Sequence, residues 1–110
     1  MVATAEKFRR LALALPGAEE RAHMGHPDFR VGGKIFATLG FPDADHGMVV
    51  LLPEQQELAM DAEPEAFSLA AGAWGRGGAT LVELAKVSQE WLERTMRWAW
   101  EKRAPKKLRE

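Results

Sequence analysis

A Gly-Gly pair between two strand-like runs is the feature of this sequence that most restricts the fold. Gly32-Gly33 separates FRV from KIFATL, and glycine readily adopts the two positive φ angles of a type I′ turn. The predicted β-hairpin has three facing pairs: Val31 with Lys34, Arg30 with Ile35, and Phe29 with Phe36. In this register Phe29, Val31 and Phe36 share one face of the sheet, which we expect to be the core face.

Amphipathic helices are predicted near both ends of the chain. The first has an apolar stripe with helical spacing, formed by Phe8, Leu11, Ala12 and Leu15. Thr4 is its expected N-cap, and Pro16-Gly17 ends it. Ser88 caps the last helix, which Pro105 ends. The stripe of this helix consists of Leu92, Thr95, Met96 and Ala99.

The segments between these helices indicate a sheet. Strands are expected at 19–24, on both sides of the hairpin turn, at MVVLL and at ATLVEL, with a short helix beginning at Pro53. This order predicts an α+β fold, in which an antiparallel sheet is flanked by N- and C-terminal helices. We expect one domain over residues 1–104 and a short basic tail over 105–110.

The segment from Pro64 to Gly78 allows two interpretations. Pro64 is expected to open a helical turn that runs through Phe67. SLAAGAW then either continues this helix to a cap at Gly72 or forms a strand that turns at GRGG. The strand is favoured, because ATLVEL needs a pairing partner, and it would create a second glycine-tipped hairpin carrying Arg76.

Composition excludes several classes of function. The 110 residues include no cysteine, which excludes disulfides, thiolate zinc sites, iron–sulfur clusters and a cysteine nucleophile. Apolar runs are too short for a bilayer-spanning helix or an export signal, so we expect a cytoplasmic protein with no membrane partner. The formal net charge of -1 is unlike the basic balance of dedicated nucleic-acid-binding domains.

Motifs for catalysis or cofactor binding are not recognisable. His23, His26 and His46 are the candidate metal ligands, but the first two flank a predicted strand end and do not share a helix face, so we expect no metal. Ser68 and Ser88 lack the context of a nucleophile, and GRGGAT is not a phosphate loop. Nothing in the sequence argues for an enzyme or for a cofactor.

Basic residues near the glycine turns give the first functional hypothesis, which is DNA binding. The candidate contacts are Arg30 and Lys34 at the first turn, Arg76 at the second, and Lys106 and Lys107 in the tail, and like Arg109 they lack an obvious acidic neighbour. Glycines let backbone amides approach phosphates, and the bases would neutralise them. The alternative explanation is that hairpin tips are exposed and carry charge only for solubility.

The tryptophans give a hypothesis of a different class. A cleft between the sheet and the last helix, with Trp74 and Arg76 at its mouth, would bind a small molecule or a protein partner. Trp100 is expected to remain partly exposed beside it. Trp91 and Trp98 border the apolar stripe of the last helix, and we interpret them as the edge of the core.

Six segments distributed over the chain carry a family resemblance: ALPGAEE, HMGHPDFRVGGKIFATLG, LLPEQQ, PEAF, GAWGRGGAT and AWEKRAPKKL. In this order they make the chain resemble the MmcQ/YjbR-like family. The resemblance implies an α-β-α domain with a CyaY-like, double-wing fold, and a DNA-binding role assigned largely on fold similarity. Similar proteins often carry more arginine in the second hairpin, where this chain has Gly77, Leu81 and Glu83, and this departure disfavours DNA binding here.

Overall fold

In the computed structural model, which describes residues 4–109, all strands belong to one six-stranded antiparallel sheet. The strands are β1 (Glu19–His23), β2 (His26–Val31), β3 (Lys34–Leu39), β4 (His46–Val50), β5 (Phe67–Leu69) and β6 (Ala79–Glu83). The helices are α1 (Ala5–Leu13), α2 (Pro53–Ala62), α3 (Gly72–Arg76), α4 (Gln89–Arg103) and α5 (Lys106–Arg109). Strand order across the sheet is β1-β2-β3-β4-β6-β5. The predicted α+β class, with an antiparallel sheet and helices in the N- and C-terminal regions of the chain, is confirmed.

Local sequence signals explain where α1 and α4 begin and which sides they bury. Thr4 Oγ1 accepts a hydrogen bond from Lys7 N at 3.1 Å, and Ser88 Oγ accepts one from Trp91 N at 3.2 Å. Each cap satisfies an amide that has no acceptor inside its helix. The buried residues include most of the predicted stripes: Phe8 and Ala12 in α1, and Leu92, Thr95, Met96 and Ala99 in α4. None of the helices within residues 4–109 is long and apolar enough to cross a membrane.

The β2–β3 hairpin departs from its predicted register beyond the second pair. The Gly32-Gly33 turn has φ angles of 59° and 80°, and the two pairs next to it are as predicted. A β-bulge then places Phe29 opposite Ala37, so the predicted Phe29–Phe36 pair is wrong. The bulge has a packing reason, because it lets the consecutive residues Phe36 and Ala37 both enter the core, where each is fully buried.

The segment before β6 differs from both sequence interpretations. Residues 64–66 form a turn closed by hydrogen bonds from Ala66 N and Phe67 N to Glu63 O, so the predicted turn is present, but it ends before Phe67, which begins β5. β5 pairs with β6, as the favoured interpretation requires. The predicted tight glycine turn at GRGG is wrong, because α3 forms most of the connection between β5 and β6. Gln56 of α2 holds α3 in place, because its Nε2 donates to Gly75 O at 3.0 Å and to Thr80 Oγ1 at 3.1 Å.

Trp100 lies in the core, so the expectation of a partly exposed ring is wrong. The residue is 2% exposed, and its indole Nε1 donates a hydrogen bond to Pro16 O at 2.8 Å. This partner belongs to the turn after α1, which covers the side of α4 that carries Trp100. A helical wheel of α4 alone contains no information about that neighbour, because the two residues are 84 positions apart.

Helices α1, α2 and α4 cover one face of the sheet and leave the other face without a long helix. One core joins these helices to the strands and includes Phe8, Ala59, Met96, Val49 and Val82. Side chains alternate along a strand, so Met48 and Val50, on either side of Val49, point away from this core. The second face of the sheet therefore carries apolar side chains that only shorter segments can cover.

The residues after α4 fold back against the β2–β3 turn. Pro105 lies so close to Gly32 that a Cβ at residue 32 would be 2.9 Å from Pro105 Cγ. Leu108 of α5 is equally close to Gly17, at 2.9 Å from the position of a Cβ. The segment predicted as a tail thus contains a helical turn that rests on the domain, and the domain boundary at residue 104 stays a prediction.

Gly78→Ala tests how tightly the junction between α3 and β6 is built. A Cβ at residue 78 would lie 2.4 Å from Leu51 O, and φ there is 114°. We expect the free energy of unfolding to fall by about 3 kcal/mol, because backbone strain and overpacking add. Gly33→Ala is the matched control, with φ 80° and open space, and should cost about 1 kcal/mol. Urea unfolding followed by tryptophan fluorescence measures both, and equal losses would contradict this packing.

Candidate functional site

A cleft of about 480 Å³ opens on the face of the sheet that α1, α2 and α4 leave uncovered. Its apolar floor is formed by β3, β4 and β6 through Ile35, Met48, Val50 and Ala79. The loop over residues 40–45 and helix α3 supply the sides, with Phe41 from the loop and Trp74 from the helix. Uncovered apolar strand residues and two short bordering segments therefore create one concave site.

Three aromatic rings form one wall of this cleft. The rings of His26 and Phe41 meet edge to face with centroids 6.0 Å apart, and the centroids of Phe41 and Trp74 are 5.5 Å apart. Trp74 is 63% exposed, and Met24, which also lines the cleft, is 91% exposed. Large apolar side chains left exposed beside an apolar depression are typical of a binding surface.

Hydrogen bonds hold the loop that carries Phe41. Asp43 Oδ1 accepts a bond from Asp45 N at 2.9 Å and lies 2.7 Å from His46 Nδ1. Gly40 N donates to His46 O at 2.9 Å and closes the loop. The contact with His46 is the main reason that the pKa of Asp43 lies below its ordinary value. Phe41 is thus presented by a fixed turn.

Two polar side chains line the cleft with a buried atom that has no hydrogen-bond partner. Within residues 4–109 the buried side-chain atoms in this condition are Thr38 Oγ1 and Arg103 Nε. Thr38 is 2% exposed, and both residues line the cleft. Leaving a buried donor or acceptor without a partner costs about 1–3 kcal/mol, so most such groups in folded proteins are paired. Two of the residues that line the cleft therefore carry a polar atom whose hydrogen-bonding capacity is unused.

A buried carboxylate organises the polar end of the cleft. Asp28 Oδ1 accepts a bond from Arg30 Nε at 2.8 Å and Oδ2 accepts one from Arg30 Nη2 at 3.1 Å. Asp28 Oδ2 also lies 2.6 Å from Nδ1 of His23, which lines the cleft. The Arg30 bonds hold the pKa of Asp28 below its ordinary value against the opposing effect of burial, and His23 adds to the lowering. The His23 ring is thereby fixed in orientation.

The charged and titratable side chains that line the cleft are all of basic type. They are His23, His26 and Arg103, and no carboxylate is among the described lining residues. Arg103 takes part in none of the ion pairs that the described residues form. Burial, and then the charge of Arg103, lowers the pKa of the adjacent Lys102. The electrostatics of the cleft thus favour an anionic group over a cationic one.

Comparison with known proteins agrees with the resemblance seen in the sequence. The family model described as YjbR matches residues 13–102. The chain belongs to the YjbR family. No curated protein matches its sequence. The crystal structure of a Deinococcus radiodurans protein with a DUF419 domain is similar, with a TM-score of 0.75 and 19% identity over 90% of this chain and 77% of that one. At this identity the similarity shows the fold alone.

The cleft of this YjbR domain includes one of the residues predicted for a ligand site. Trp74 forms part of its wall, whereas Arg76 and Trp100 are not among the lining residues. The cleft lies on the opposite face of the sheet from α4, and from that helix only the terminal residue Arg103 reaches it. Arg103 directly follows the last residue that the YjbR model matches.

Thr38 and Arg103 were not predicted to line a cleft, and His23 and His26 were predicted only as candidate metal ligands. In the predicted register Thr38 shares a face with Phe36 and would point into the core, but the bulge moves it to the cleft side. No three His, Asp or Glu side chains within residues 4–109 are arranged to hold a metal ion. The sequence signal that could have identified this part of the cleft is the short spacing between His23 and Asp28, which allows a contact between an imidazole and a carboxylate.

The five bases predicted to contact nucleic acid differ in their availability. Arg30 has its guanidinium engaged by the buried Asp28. The other four are exposed: Lys34, Arg76, Lys106 and Lys107. One member of the predicted set is thus an internal ion-pair partner, and the remaining members are free to meet solvent.

Asp28 makes the stability of the domain depend on pH in the acidic range. Its pKa is lowered below 3.8 on folding, so the carboxylate stabilises the fold above that pH, and the contribution is lost as pH falls through the folded value. Asp28→Asn should cost about 2 kcal/mol at neutral pH through weakened bonds to Arg30 and His23. The difference from wild type should shrink below about pH 4.

Urea unfolding at a series of pH values measures this effect. Asp61→Asn, an exposed position on α2, is the matched control and should retain the wild-type slope of stability against pH. A cost of Asp28→Asn that stays constant from neutral pH to about pH 3 would contradict the role assigned to the buried carboxylate.

Proposed function

We propose that this YjbR domain binds a small, mainly apolar molecule in the cleft between β3, β4, β6 and α3. The observation that carries the proposal is an apolar depression of about 480 Å³ on the face of the sheet that no long helix covers. Clefts of about 300–1,000 Å³, lined by apolar and aromatic side chains with a few polar groups, are the usual form of small-molecule sites.

Rigid borders support a pre-formed site. The Phe41 loop is closed by Asp43 and His46, and α3 is tied to α2 through the buried side chain of Gln56. Gly75 of α3 packs directly on the preceding segment, because a Cβ there would lie 2.1 Å from Ala70 O. The backbone segments that carry Trp74 and Phe41 are therefore held in place without a ligand, which reduces the entropy lost on binding.

Ala79→Leu tests the proposal by filling the floor of the cleft, where Ala79 is 8% exposed. We expect indole, 2-naphthol or 2-naphthoate to shift the amide NMR signals of Thr38, Met48 and Trp74 in the wild-type protein. The larger side chain should weaken this binding at least about tenfold, since it occupies the volume that the ring needs.

The control for this experiment is Ala62→Leu, which adds the same side chain at an exposed position of α2. Ala62→Leu should bind like the wild type, and thermal unfolding should show that both variants are folded. Absence of shifts at the three cleft amides with every probe, or unchanged binding by Ala79→Leu, would contradict the proposed function.

A second candidate is weak contact with DNA, and one specific arrangement favours it. The antiparallel order puts the end of β4 and the start of β6 at the same end of the sheet as the Gly32-Gly33 turn. α3 leads into β6 there, and Pro105 rests on the turn just before α5. Four exposed bases consequently belong to one end of the molecule: Lys34, Arg76, Lys106 and Lys107.

The end of the molecule that carries these four bases, called the basic end here, gives modest support to nucleic-acid binding. α3 replaces the second hairpin tip, Arg30 is occupied by Asp28, and the formal net charge of the chain is -1. The surface would act by neutralising phosphates without reading bases, so its affinity would be low and would depend on salt.

Fluorescence anisotropy with a short labelled duplex tests this second candidate. Lys34→Ala combined with Lys107→Ala should weaken binding at low salt, and the log–log salt slope should become shallower by about 0.9 for each phosphate that the protein no longer neutralises. Lys86→Ala is the control, because Lys86 follows the opposite end of β6. Undetectable binding at low salt, or an equal effect of the control, would exclude the basic end as a DNA surface.

A further inference from the structure

We infer that the ligand of the cleft is a planar aromatic acid whose anionic group binds to Arg103 and Thr38. This inference rests on the proposed small-molecule function and narrows it to one chemical class. It follows from three properties of the described cleft: two lining residues that each have a buried polar atom without a partner, an entirely basic set of titratable side chains, and a wall of aromatic rings.

The unpaired atoms indicate what the ligand must supply. Arg103 Nε is a donor only, and the hydroxyl of Thr38 can donate or accept. Both atoms are buried without a partner, and both residues line the same cleft. A ligand oxygen that accepts hydrogen bonds would satisfy both, whereas a purely apolar ligand would leave them unpaired in a dry site.

Charge decides which kind of oxygen fits best. A guanidinium binds a carboxylate more strongly than a neutral carbonyl, because the hydrogen bond is charge-assisted. No described carboxylate lines the cleft to compete for Arg103, since Asp28 is held by Arg30 and His23. An acid would therefore neutralise Arg103, and an amine would meet only basic neighbours.

The shape of the cleft selects the rest of the ligand. Rings of His26, Phe41 and Trp74 line one side, and the flexible Met48 lies on the floor. A flat aromatic body can stack on such a wall and place its edge against the floor. The anionic group would then project towards the polar residues Thr38 and Arg103.

The test compares 2-naphthoate with 2-naphthamide, which has the same rings but no charge. Isothermal titration of the wild-type protein should give a dissociation constant roughly tenfold lower for the acid, as expected for one charge-assisted interaction. Arg103→Gln should bring the two values within about twofold of each other. Arg94→Gln, an exposed arginine on the same helix, is the control and should keep the wild-type preference.

Two further variants separate the inferred contacts from a general effect on folding. Arg103→Lys keeps the charge but lacks Nε, so it should bind the acid more weakly than wild type does. Thr38→Val removes the unpaired hydroxyl and should raise the melting temperature of the free protein while weakening 2-naphthoate binding about threefold. Circular dichroism shows whether each variant is folded.

The outcomes distinguish this inference from the proposed function. Equal affinity of the wild type for acid and amide, or a full preference for the acid in Arg103→Gln or Arg103→Lys, would overturn the inference and leave a neutral-ligand cleft. Failure of both compounds to bind while indole or 2-naphthol still shifts the cleft amides would also overturn the inference, and failure of all four compounds would contradict the proposed function itself.

Discussion

One-sided packing of the sheet is the constraint on which the rest of this structure depends. The fully buried Phe8 and Met96 belong to helices that lie on one face, and the turn after α1 receives the hydrogen bond of Trp100 on that same side. The opposite face keeps apolar strand residues that need cover, and the Phe41 loop and α3 border them together with Met24 and Arg103. A six-stranded sheet covered by one layer of helices therefore leaves its second face available for a binding cleft.

Local signals predicted much of the fold because they act within a few residues. Thr4 and Ser88 cap their helices, Gly32-Gly33 makes the turn, and the α+β order follows from periodicity. The bulge at Phe36 and the replacement of a glycine turn by α3 were not predictable in this way. Both depend on distant partners, since the bulge responds to core packing and α3 is held by Gln56, 19 residues before Gly75.

The candidate site was predicted only in part, for the same physical reason. Trp74 was predicted to lie at the mouth of a cleft, and it does line one, although that cleft lies on the face of the sheet opposite α4. Thr38 reached the cleft through the bulge, and Arg103 looked like an ordinary base at a helix end. Arg30 looked free in the sequence, yet its partner Asp28 is only two residues away and fully buried. The pairing of Arg30 with Asp28 depends on the burial of Asp28, and the burial of a single carboxylate cannot be predicted from the sequence.

A crystal structure of the domain soaked with 2-naphthoate tests the central claim most directly, because it locates the ligand atom by atom. We expect the naphthalene ring to lie against Trp74 and Phe41, above the strand residues of the uncovered face, with its carboxylate within hydrogen-bond distance of Arg103 Nε and Thr38 Oγ1. A ring bound elsewhere, or a cleft closed by inward rotation of Trp74 with no ligand inside, would contradict it.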